Sequence, residues 1–185
     1  MRVIAGSARR LKLITPEGLH TRPTSDKIKE TLFNIIQGDL PEAKFLDLFA
    51  GSGGIAIEAL SRGASRAVIV DNNREAIRCI TQNVKTTKFT EQAEIMSMDV
   101  FRALNQLILR GDGPFDIIFM DPPYYGGFEK KVLEILANSG LIDSDTLIIV
   151  ETAEETDLDY LEDIGLEADR VKDYKNSKHT FVRMI

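Results

Sequence analysis

The sequence predicts an α/β fold in which helices cover both faces of a doubly wound, mostly parallel sheet. From Lys44 onward, short apolar runs typical of buried strands alternate with segments whose apolar residues recur at helical spacing. This alternation is typical of parallel sheets, in which each helix returns the chain to the starting edge. The tail instead has two strand-like segments, 168–174 and 180–184, around the turn-forming pair Asn176-Ser177. We therefore expect the sheet to end in an antiparallel hairpin.

A short extension precedes this sheet. Two β-prone segments, residues 2–5 and 10–15, flank Gly6-Ser7 and predict a β-hairpin ahead of the main domain. We therefore divide the chain into an N-terminal hairpin extension, residues 1–20, and a main domain, residues 21–185.

Cap residues and apolar spacing mark the remaining elements. Thr24 or Ser25 is expected to cap the first helix, which ends at Gly38, and Asn73 is expected to cap a later one. The predicted strands cover residues 45–48, 67–70, 94–98, 115–120 and 147–150, and the predicted helices cover residues 28–36, 55–61, 76–84, 101–108 and 129–137.

The composition is that of an ordinary globular domain. With 185 residues, of which 43% are hydrophobic, the chain is long enough to bury a core. Its single cysteine, Cys79, excludes a disulfide framework, and its two distant histidines, His20 and His179, make no case for a metal site. Neither a signal peptide nor a membrane-spanning run is evident, so we expect a cytoplasmic protein.

Charge is distributed unevenly along the chain. The net charge of −6 argues against a protein that binds nucleic acid over its whole surface. Residues 1–30 nevertheless carry seven basic side chains against three acidic ones, whereas residues 151–167 carry only acidic charges. The basic run is interpreted either as solvated surface or as a local contact with nucleic acid. The acidic run is interpreted as solvated surface.

A glycine-rich turn follows the first predicted strand, at the sheet edge where ligands bind in such folds. Gly51, Ser52 and Gly53 stand where the backbone must turn tightly and approach a ligand closely. Asp71 ends the second strand 20 residues after Gly51, where a carboxylate commonly accepts hydrogen bonds from a ribose. These features are shared by dinucleotide sites and other adenosine-binding sites, so they do not separate the two classes.

Asp99 follows the third strand and has two compatible interpretations. Its side chain is placed to read the edge of an adenine. It is equally suited to cap the helix that begins at Val100.

The most specific motif, Asp121-Pro122-Pro123-Tyr124, directly follows the fourth strand. An exocyclic amine of a nucleobase is a poor nucleophile because its lone pair is delocalised into the ring. The Asp121 carboxylate and the Pro122 carbonyl would hold its two hydrogens and expose the lone pair, while the prolines stiffen the loop. Tyr124 would stack on the base. The alternative, that the prolines end a strand and the tyrosine packs, leaves the combination unexplained.

Together these motifs resemble the class I, S-adenosylmethionine-dependent amino-methyltransferases. The segments Arg2-Val3-Ile4-Ala5-Gly6, Arg9-Arg10, Arg22-Pro23-Thr24 and Glu30-Thr31-Leu32-Phe33-Asn34 narrow the resemblance to the bacterial small-subunit ribosomal RNA guanine-N2 methyltransferase family. That resemblance implies a seven-stranded Rossmann-like sheet and a cytoplasmic enzyme, expected to be monomeric. Its substrate would be small-subunit (16S) ribosomal RNA, either free or within an assembled or partly assembled subunit.

The resemblance also implies roles for individual residues. The N-terminal hairpin would help to dock RNA, and Asp121, Pro122, Pro123 and Tyr124 would hold the guanine amine. The residues expected to contact phosphate are Arg9, Arg10, Lys12 and Arg22. The residues expected to bind S-adenosylmethionine are Asp47, Phe49, Ala50, Gly51, Ser52, Gly53, Asp71, Asn72, Asp99 and Val100.

Three other functions remain open at this level. Amino-methyltransferases acting on adenine N6 in DNA or RNA share the Asp-Pro-Pro-Tyr motif, but those acting on DNA usually carry a target-recognition region for which this chain has no spare length. A nicotinamide-dependent oxidoreductase would explain the glycine turn and Asp71, but not residues 121–124. A non-catalytic RNA-binding assembly factor would retain the fold without transferring methyl groups.

Overall fold

The computed structural model describes residues 1–16, 25–123 and 126–185. In these residues, strands and helices alternate before a final hairpin. The helices are α1 (Asp26–Ile35), α2 (Gly54–Ser61), α3 (Arg74–Thr87), α4 (Val100–Arg110) and α5 (Phe128–Ala137), and the strands are β1 (Lys44–Leu48), β2 (Arg66–Asp71), β3 (Ala93–Ser97), β4 (Ile117–Met120), β5 (Leu147–Ala153), β6 (Leu166–Asp173) and β7 (Ser177–Met184). Within the same ranges, no helix combines the length and apolar character needed to span a membrane.

Seven strands of the described chain form one sheet in the order β3-β2-β1-β4-β5-β7-β6. The first five are parallel, and β7 pairs antiparallel with both β5 and β6. The predicted doubly wound sheet with a final antiparallel hairpin is therefore confirmed. The strand order reverses between β1 and β4, which places the crevice for a ligand beyond the carboxyl ends of these two strands.

Side chains alternate between two hydrophobic layers. On one face, Phe45 of β1 and Phe119 of β4 pack with α1, α2 and α3. On the other face, Leu46 and Ile118 pack with α4 and α5. Strands covered by helices on both faces require apolar residues at nearly every position, which is why their sequences read as continuous apolar runs.

The predicted helix caps are confirmed where the structure describes them. The Ser25 side chain accepts a hydrogen bond from Ile28 N at 3.2 Å, and α1 follows it. Asn73 Oδ1 accepts from Glu75 N and Ala76 N at the start of α3. Thr24, the alternative cap for α1, lies outside the described residues.

Several strand boundaries differ from the prediction, among them those of β4, β5 and β7. β4 has four residues because the chain enters the sheet only at Ile117, and Phe115 N instead donates to Leu141 O at 2.9 Å. β5 continues beyond the predicted end at residue 150 because β7 pairs with it through Ala153, which faces Ser177. The same pairing starts β7 earlier than the predicted residue 180.

The N-terminal arm, residues 1–16, doubles back on itself as an antiparallel hairpin, in a shorter form than predicted. Arg2 and Lys12 form an antiparallel bridge, Val3 N donates to Leu11 O at 3.0 Å, and Leu13 N donates to Met1 O at 3.1 Å. Val3, Ala8 and Leu13 are buried with α1, α2 and α3. The predicted domain boundary at residues 20 and 21 lies outside the described residues.

A buried ion cluster attaches the arm to the main domain. The Glu58 carboxylate of α2 accepts hydrogen bonds from Ile4 N and Ala5 N, at 2.8 and 3.0 Å. It also lies 3.2 Å from Lys29 Nζ and 2.8 Å from Arg62 Nε. Burial lowers the pKa of Lys29, an effect that the Glu58 charge opposes. A buried charge is tolerated when it is paired and hydrogen-bonded, as Glu58 is here.

Candidate active site

Polar side chains line one face of the sheet at the carboxyl ends of its central strands. Because side chains alternate along a strand, the residue two positions after a buried residue lies on the same face. Phe45, Ile69, Phe119 and Ile149 belong to the layer that packs with α1, α2 and α3. The positions two residues further on, and His179 two residues before Phe181 on β7, form what we call the polar row: Asp47, Asp71, Asp121, Glu151 and His179.

The glycine-rich turn follows β1 and lies beside Asp47 and Asp71 of this row. Phe49, Gly51 and Gly53 all have positive φ, at +64°, +58° and +74°. A phenylalanine in this region is strained, so the turn is held by its surroundings. Ala50 N donates to Val70 O at 2.9 Å, which ties the turn to β2.

Asp71 holds the turn with both carboxylate oxygens. Its Oδ2 accepts from Gly51 N and its Oδ1 from Asn73 N, each at 2.8 Å. A carboxylate has about four acceptor positions, so about two remain for hydroxyl groups of a ligand. The side chain is half-buried at the edge of the sheet. Asp71 therefore has the place and the capacity to bind a ribose, and Asn72 follows it directly.

Asp47 lies beneath the turn and is 1% exposed. Gly53 supplies no side-chain cap to α2, and Asp47 Oδ2 takes that role by accepting from Ala56 N at 3.1 Å. Burial raises the pKa of Asp47 to about 8, an effect that the Ala56 hydrogen bond opposes and the Asp71 charge reinforces. The contact of Asp47 with the turn is thus structural, and its contact with a cofactor stays a prediction.

Asp99 is the N-cap of α4. Its Oδ1 accepts from Phe101 N and Arg102 N, each at 3.1 Å. The capping interpretation is therefore confirmed. The residue is half-buried at the carboxyl end of β3, and Val100 behind it is buried. Its role toward an adenine stays a prediction, compatible with the cap.

Asp121 follows β4 at the point where the strand order reverses. The residue is half-buried, Pro122 is buried and Pro123 is exposed, whereas Tyr124 lies outside the described residues. Within the part of the chain that the structure describes, no group donates a hydrogen bond to the Asp121 carboxylate. Burial, reinforced by the charges of Glu151 and Asp47, raises the pKa of Asp121 to about 8. A buried carboxyl without a donor is suited to accept hydrogens from a ligand.

An aromatic cluster that the sequence analysis did not assign to the site joins the two ends of the crevice. The Phe128 ring, at the start of α5, meets Phe49 edge-on at 5.7 Å and stacks with Phe101 at 6.0 Å, both between centroids. A Cβ added to Gly126 would lie 2.2 Å from the Phe128 ring, so only glycine permits this approach. The sequence feature that could have indicated this cluster is the position of Phe101, two residues after Asp99.

Glu151 and His179 are the second part that sequence reasoning missed. The acidic run 151–167 was expected to be solvated, but Glu151 is buried at 7% exposure. Its Oε2 lies 3.0 Å from Nε2 of His179, a fully buried side chain. Among the described residues, no group of three or more His, Cys, Asp or Glu side chains is arranged to hold a metal ion.

Two of the basic residues expected to contact RNA, Arg9 and Arg10, lie away from the carboxyl edge of the sheet. Arg9, Arg10 and Lys12 are exposed, and Arg22 lies outside the described residues. Arg9 and Arg10 lie at the tip of the arm. At the same tip, Ser7 N donates a hydrogen bond to the carbonyl of Ser61. Because Ser61 ends α2, this tip lies one helix length, roughly 12 Å, from the glycine turn.

The base of the arm, in contrast, contacts the glycine turn. Asn83 of α3 accepts from Ile14 N at 2.9 Å and donates through Nδ2 to Ser52 O, also at 2.9 Å. Met1 Sδ accepts from Ser52 Oγ at 3.3 Å. A Cβ added to Gly54 would lie 2.3 Å from Met1 Sδ, so glycine permits this contact.

Known proteins share both the sequence and this architecture. A family model described as conserved hypothetical protein 95 matches residues 1–183. YlbH of Bacillus subtilis, named a candidate rRNA methyltransferase, is 40% identical over 158 residues, which cover 85% of each protein. Ribosomal RNA small subunit methyltransferase D of Escherichia coli is 34% identical over 158 residues, which cover 85% of this chain and 77% of that protein.

A solved structure has the same architecture. The candidate methyltransferase yhhF of Escherichia coli matches with a TM-score of 0.86 and 31% identity, over 100% of this chain and 97% of its own. The seven-stranded sheet is therefore the class I methyltransferase fold. Since the family model covers nearly the whole sequence, the chain belongs to the family described as conserved hypothetical protein 95, that of the ribosomal RNA small subunit methyltransferase D proteins.

Proposed function

We propose that this protein transfers a methyl group from S-adenosylmethionine to the exocyclic N2 amine of one guanine in small-subunit ribosomal RNA. The observation that carries the proposal is the Asp121 carboxylate. It is half-buried at the ligand-binding edge of the sheet, it precedes two prolines, and no described group donates a hydrogen bond to it. The names of the relatives support ribosomal RNA as the substrate class.

The residues around the glycine turn fit S-adenosylmethionine. Asp71 retains acceptor positions for ribose hydroxyls after bonding Gly51 N and Asn73 N. A Cβ added to Gly51 would meet nothing within 4 Å, so the turn borders open space in which a ligand can approach the backbone. Asp99 and Val100 would border the adenine. When bound, the cofactor supplies an electrophilic methyl group on a sulfonium.

Asp121 acts as the acceptor for the amine. Its carboxylate and the Pro122 carbonyl hold the two amine hydrogens, which directs the nitrogen lone pair out of the plane of the base. Such positioning accelerates transfer without a strong base, because the reacting atoms are aligned before reaction. Tyr124 would stack on the guanine, which must leave its own stack to reach Asp121.

The exposed arm residues Arg9, Arg10 and Lys12, together with Arg22, would contact phosphates of the same RNA. Because the arm tip and the glycine turn lie at opposite ends of α2, an RNA that contacts the arm tip and reaches the site would extend along the side of the domain. Folded RNA in a small subunit offers phosphates at such separations, so an assembled or partly assembled subunit in the cytoplasm is the proposed substrate. The protein would act there as a monomer.

The test measures transfer of labelled methyl from S-adenosylmethionine to small ribosomal subunits from cells that lack the gene. The wild-type protein should label one guanosine, identified as N2-methylguanosine after digestion. Asp121→Ala should lower the rate by roughly 100-fold to 1,000-fold, as expected when a positioned transition-state contact is removed.

Asp116→Ala is the matched control. Asp116 precedes the same strand at the opposite edge of the sheet, where it is exposed and accepts from Lys44 N at 2.7 Å. The Asp116→Ala variant should lose little methyl-transfer activity. Labelling of an adenosine instead would assign the enzyme to another substrate, and absence of label despite binding of S-adenosylmethionine would contradict the proposal.

A further inference from the structure

Glu151 lies between Asp121 and His179 in the register of the sheet. Met120 of β4 pairs with Val150 of β5, so the next residues, Asp121 and Glu151, are neighbours at the carboxyl edge. Glu151 in turn pairs with His179 of β7. All three belong to the polar row, and the proposed function assigns a role only to Asp121.

Hydrogen bonds extend from Glu151 to two further side chains. Nε2 of His179 lies 3.0 Å from Glu151 Oε2, and since a carboxylate can only accept, the imidazole donates this hydrogen bond. The Tyr174 hydroxyl lies 3.2 Å from the other ring nitrogen, Nδ1. The Phe119 ring packs edge-on against the imidazole at 5.9 Å between centroids. These contacts hold the Glu151 carboxylate in place.

We propose that Glu151, held by His179 and Tyr174, is a positioning residue that keeps a negative charge beside Asp121 and so sets how strongly Asp121 draws the hydrogens of the guanine amine. This inference rests on the proposed function. A carboxylate that is a stronger base is a stronger hydrogen-bond acceptor, and a neighbouring negative charge increases its basicity. His179 and Tyr174 act only through Glu151.

The protons balance in the transfer step. The amine nitrogen forms a bond to the methyl carbon, the carbon–sulfur bond breaks, and its electron pair stays on sulfur. The nitrogen gives up one proton to the Asp121 carboxylate, which becomes a neutral acid and later releases the proton to water. The greater basicity of Asp121 favours this acceptance, and release remains possible near neutral pH because its pKa is about 8.

The titratable groups around Asp121 determine the direction in which its pKa should change when Glu151 is substituted. Glu151 faces it from β5 and Asp47 from β1, and both raise the pKa of Asp121. His179 of β7 contacts Glu151 directly, and Tyr174, which follows β6, contacts His179. Removing the Glu151 charge therefore lowers the pKa of Asp121 and makes it a weaker acceptor.

The deciding measurement is the pH profile of methyl transfer to small subunits from about pH 6 to about pH 9, the range in which Asp121 is expected to titrate. In nearly isosteric Glu151→Gln, the acidic limb should move to lower pH by about one unit while the plateau of kcat falls about threefold to tenfold. KM for S-adenosylmethionine should change little, because Glu151 does not face the glycine turn. His179→Leu removes the donor to Glu151 and should shift the limb in the same direction.

His179→Gln keeps an N–H donor and serves as the rescue variant, so its limb should stay near that of the wild type. A purely structural role for Glu151 and His179 would lower all rates uniformly without moving the limb, which would overturn the inference. So would a shift to higher pH in either variant. Absence of transfer by the wild type would instead refute the proposed function, which keeps the two failures distinct.

Discussion

The two ends of the crevice are built in different ways. At the proposed cofactor end, the carboxylates of Asp47 and Asp71 accept hydrogen bonds from backbone N–H groups of the glycine turn and of nearby helix starts. At the proposed base end, Asp121 receives no hydrogen bond from the described residues, and burial together with the charges of Glu151 and Asp47 raises its pKa. Backbone donors fix a shape before a ligand arrives. The Asp121 carboxylate, which has charged neighbours and no such donor, keeps unused acceptor positions that a ligand can fill.

Among substitutions that test the difference between the two ends, Asp71→Ala is expected to have the largest effect, on the affinity for S-adenosylmethionine. It removes acceptors for Gly51 N and Asn73 N and the proposed ribose contact. Hydrogen bonds to a charged group contribute about 1.5–3 kcal/mol each, so Kd for S-adenosylmethionine should rise at least about 100-fold. Titration calorimetry measures this. If affinity were unchanged while kcat fell, the division of the crevice into two ends would be wrong.

Asp47→Asn tests whether a buried carboxyl at the cofactor end limits stability. The folded pKa of Asp47 is about 8, above its ordinary value near 4, so the folded state binds the proton more tightly. Its contribution is then greatest below pH ~4 and is lost as pH rises toward ~8. The neutral asparagine keeps an acceptor for Ala56 N, so its Tm advantage should grow across this window, to on the order of 10 °C.

Thermal unfolding of both proteins across the pH range provides the measurement, with Asp116→Asn as the exposed control. A constant difference in Tm would mean that Asp47 does not titrate in this window.

Phe128→Leu is the smallest change and the one that could break the comparison. The Phe128 ring contacts Phe49 of the glycine turn and Phe101 after Asp99, and it follows the Asp121 loop in sequence. An aromatic contact contributes about 1 kcal/mol, so KM for S-adenosylmethionine and kcat should each change by about fivefold. Steady-state kinetics with small subunits measures both. A change in only one of them would show that the two ends are mechanically independent.

Sequence reasoning succeeded where partners are close along the chain. Asn73 and Asp99 were predicted as caps because a cap bonds to N–H groups two or three residues ahead. The strand order could not be read in this way, but alternation of strands and helices predicted its parallel part. The role of Glu151 was not predictable, because its partner His179 is 28 residues away in the chain.

The N-terminal arm shows a different limit. Gly6-Ser7 and the β-prone residues around it predicted a hairpin, and Val3 N does donate to Leu11 O across the arm. The pairing is shorter than predicted because Ile4 N and Ala5 N donate to Glu58 of α2 instead. Tertiary context overrides local preference where it satisfies the same polar groups.

The sequence alone determined the α/β class, the glycine turn, and the placement of Asp71, Asp99 and Asp121 at strand ends, because apolar period, turn residues and caps act over short distances. Only the tertiary structure decided which side chains surround Asp121. Strands β4, β5 and β7 become neighbours through pairing of distant segments, and that pairing buries Glu151 and His179 beside the carboxylate that the motif contributes.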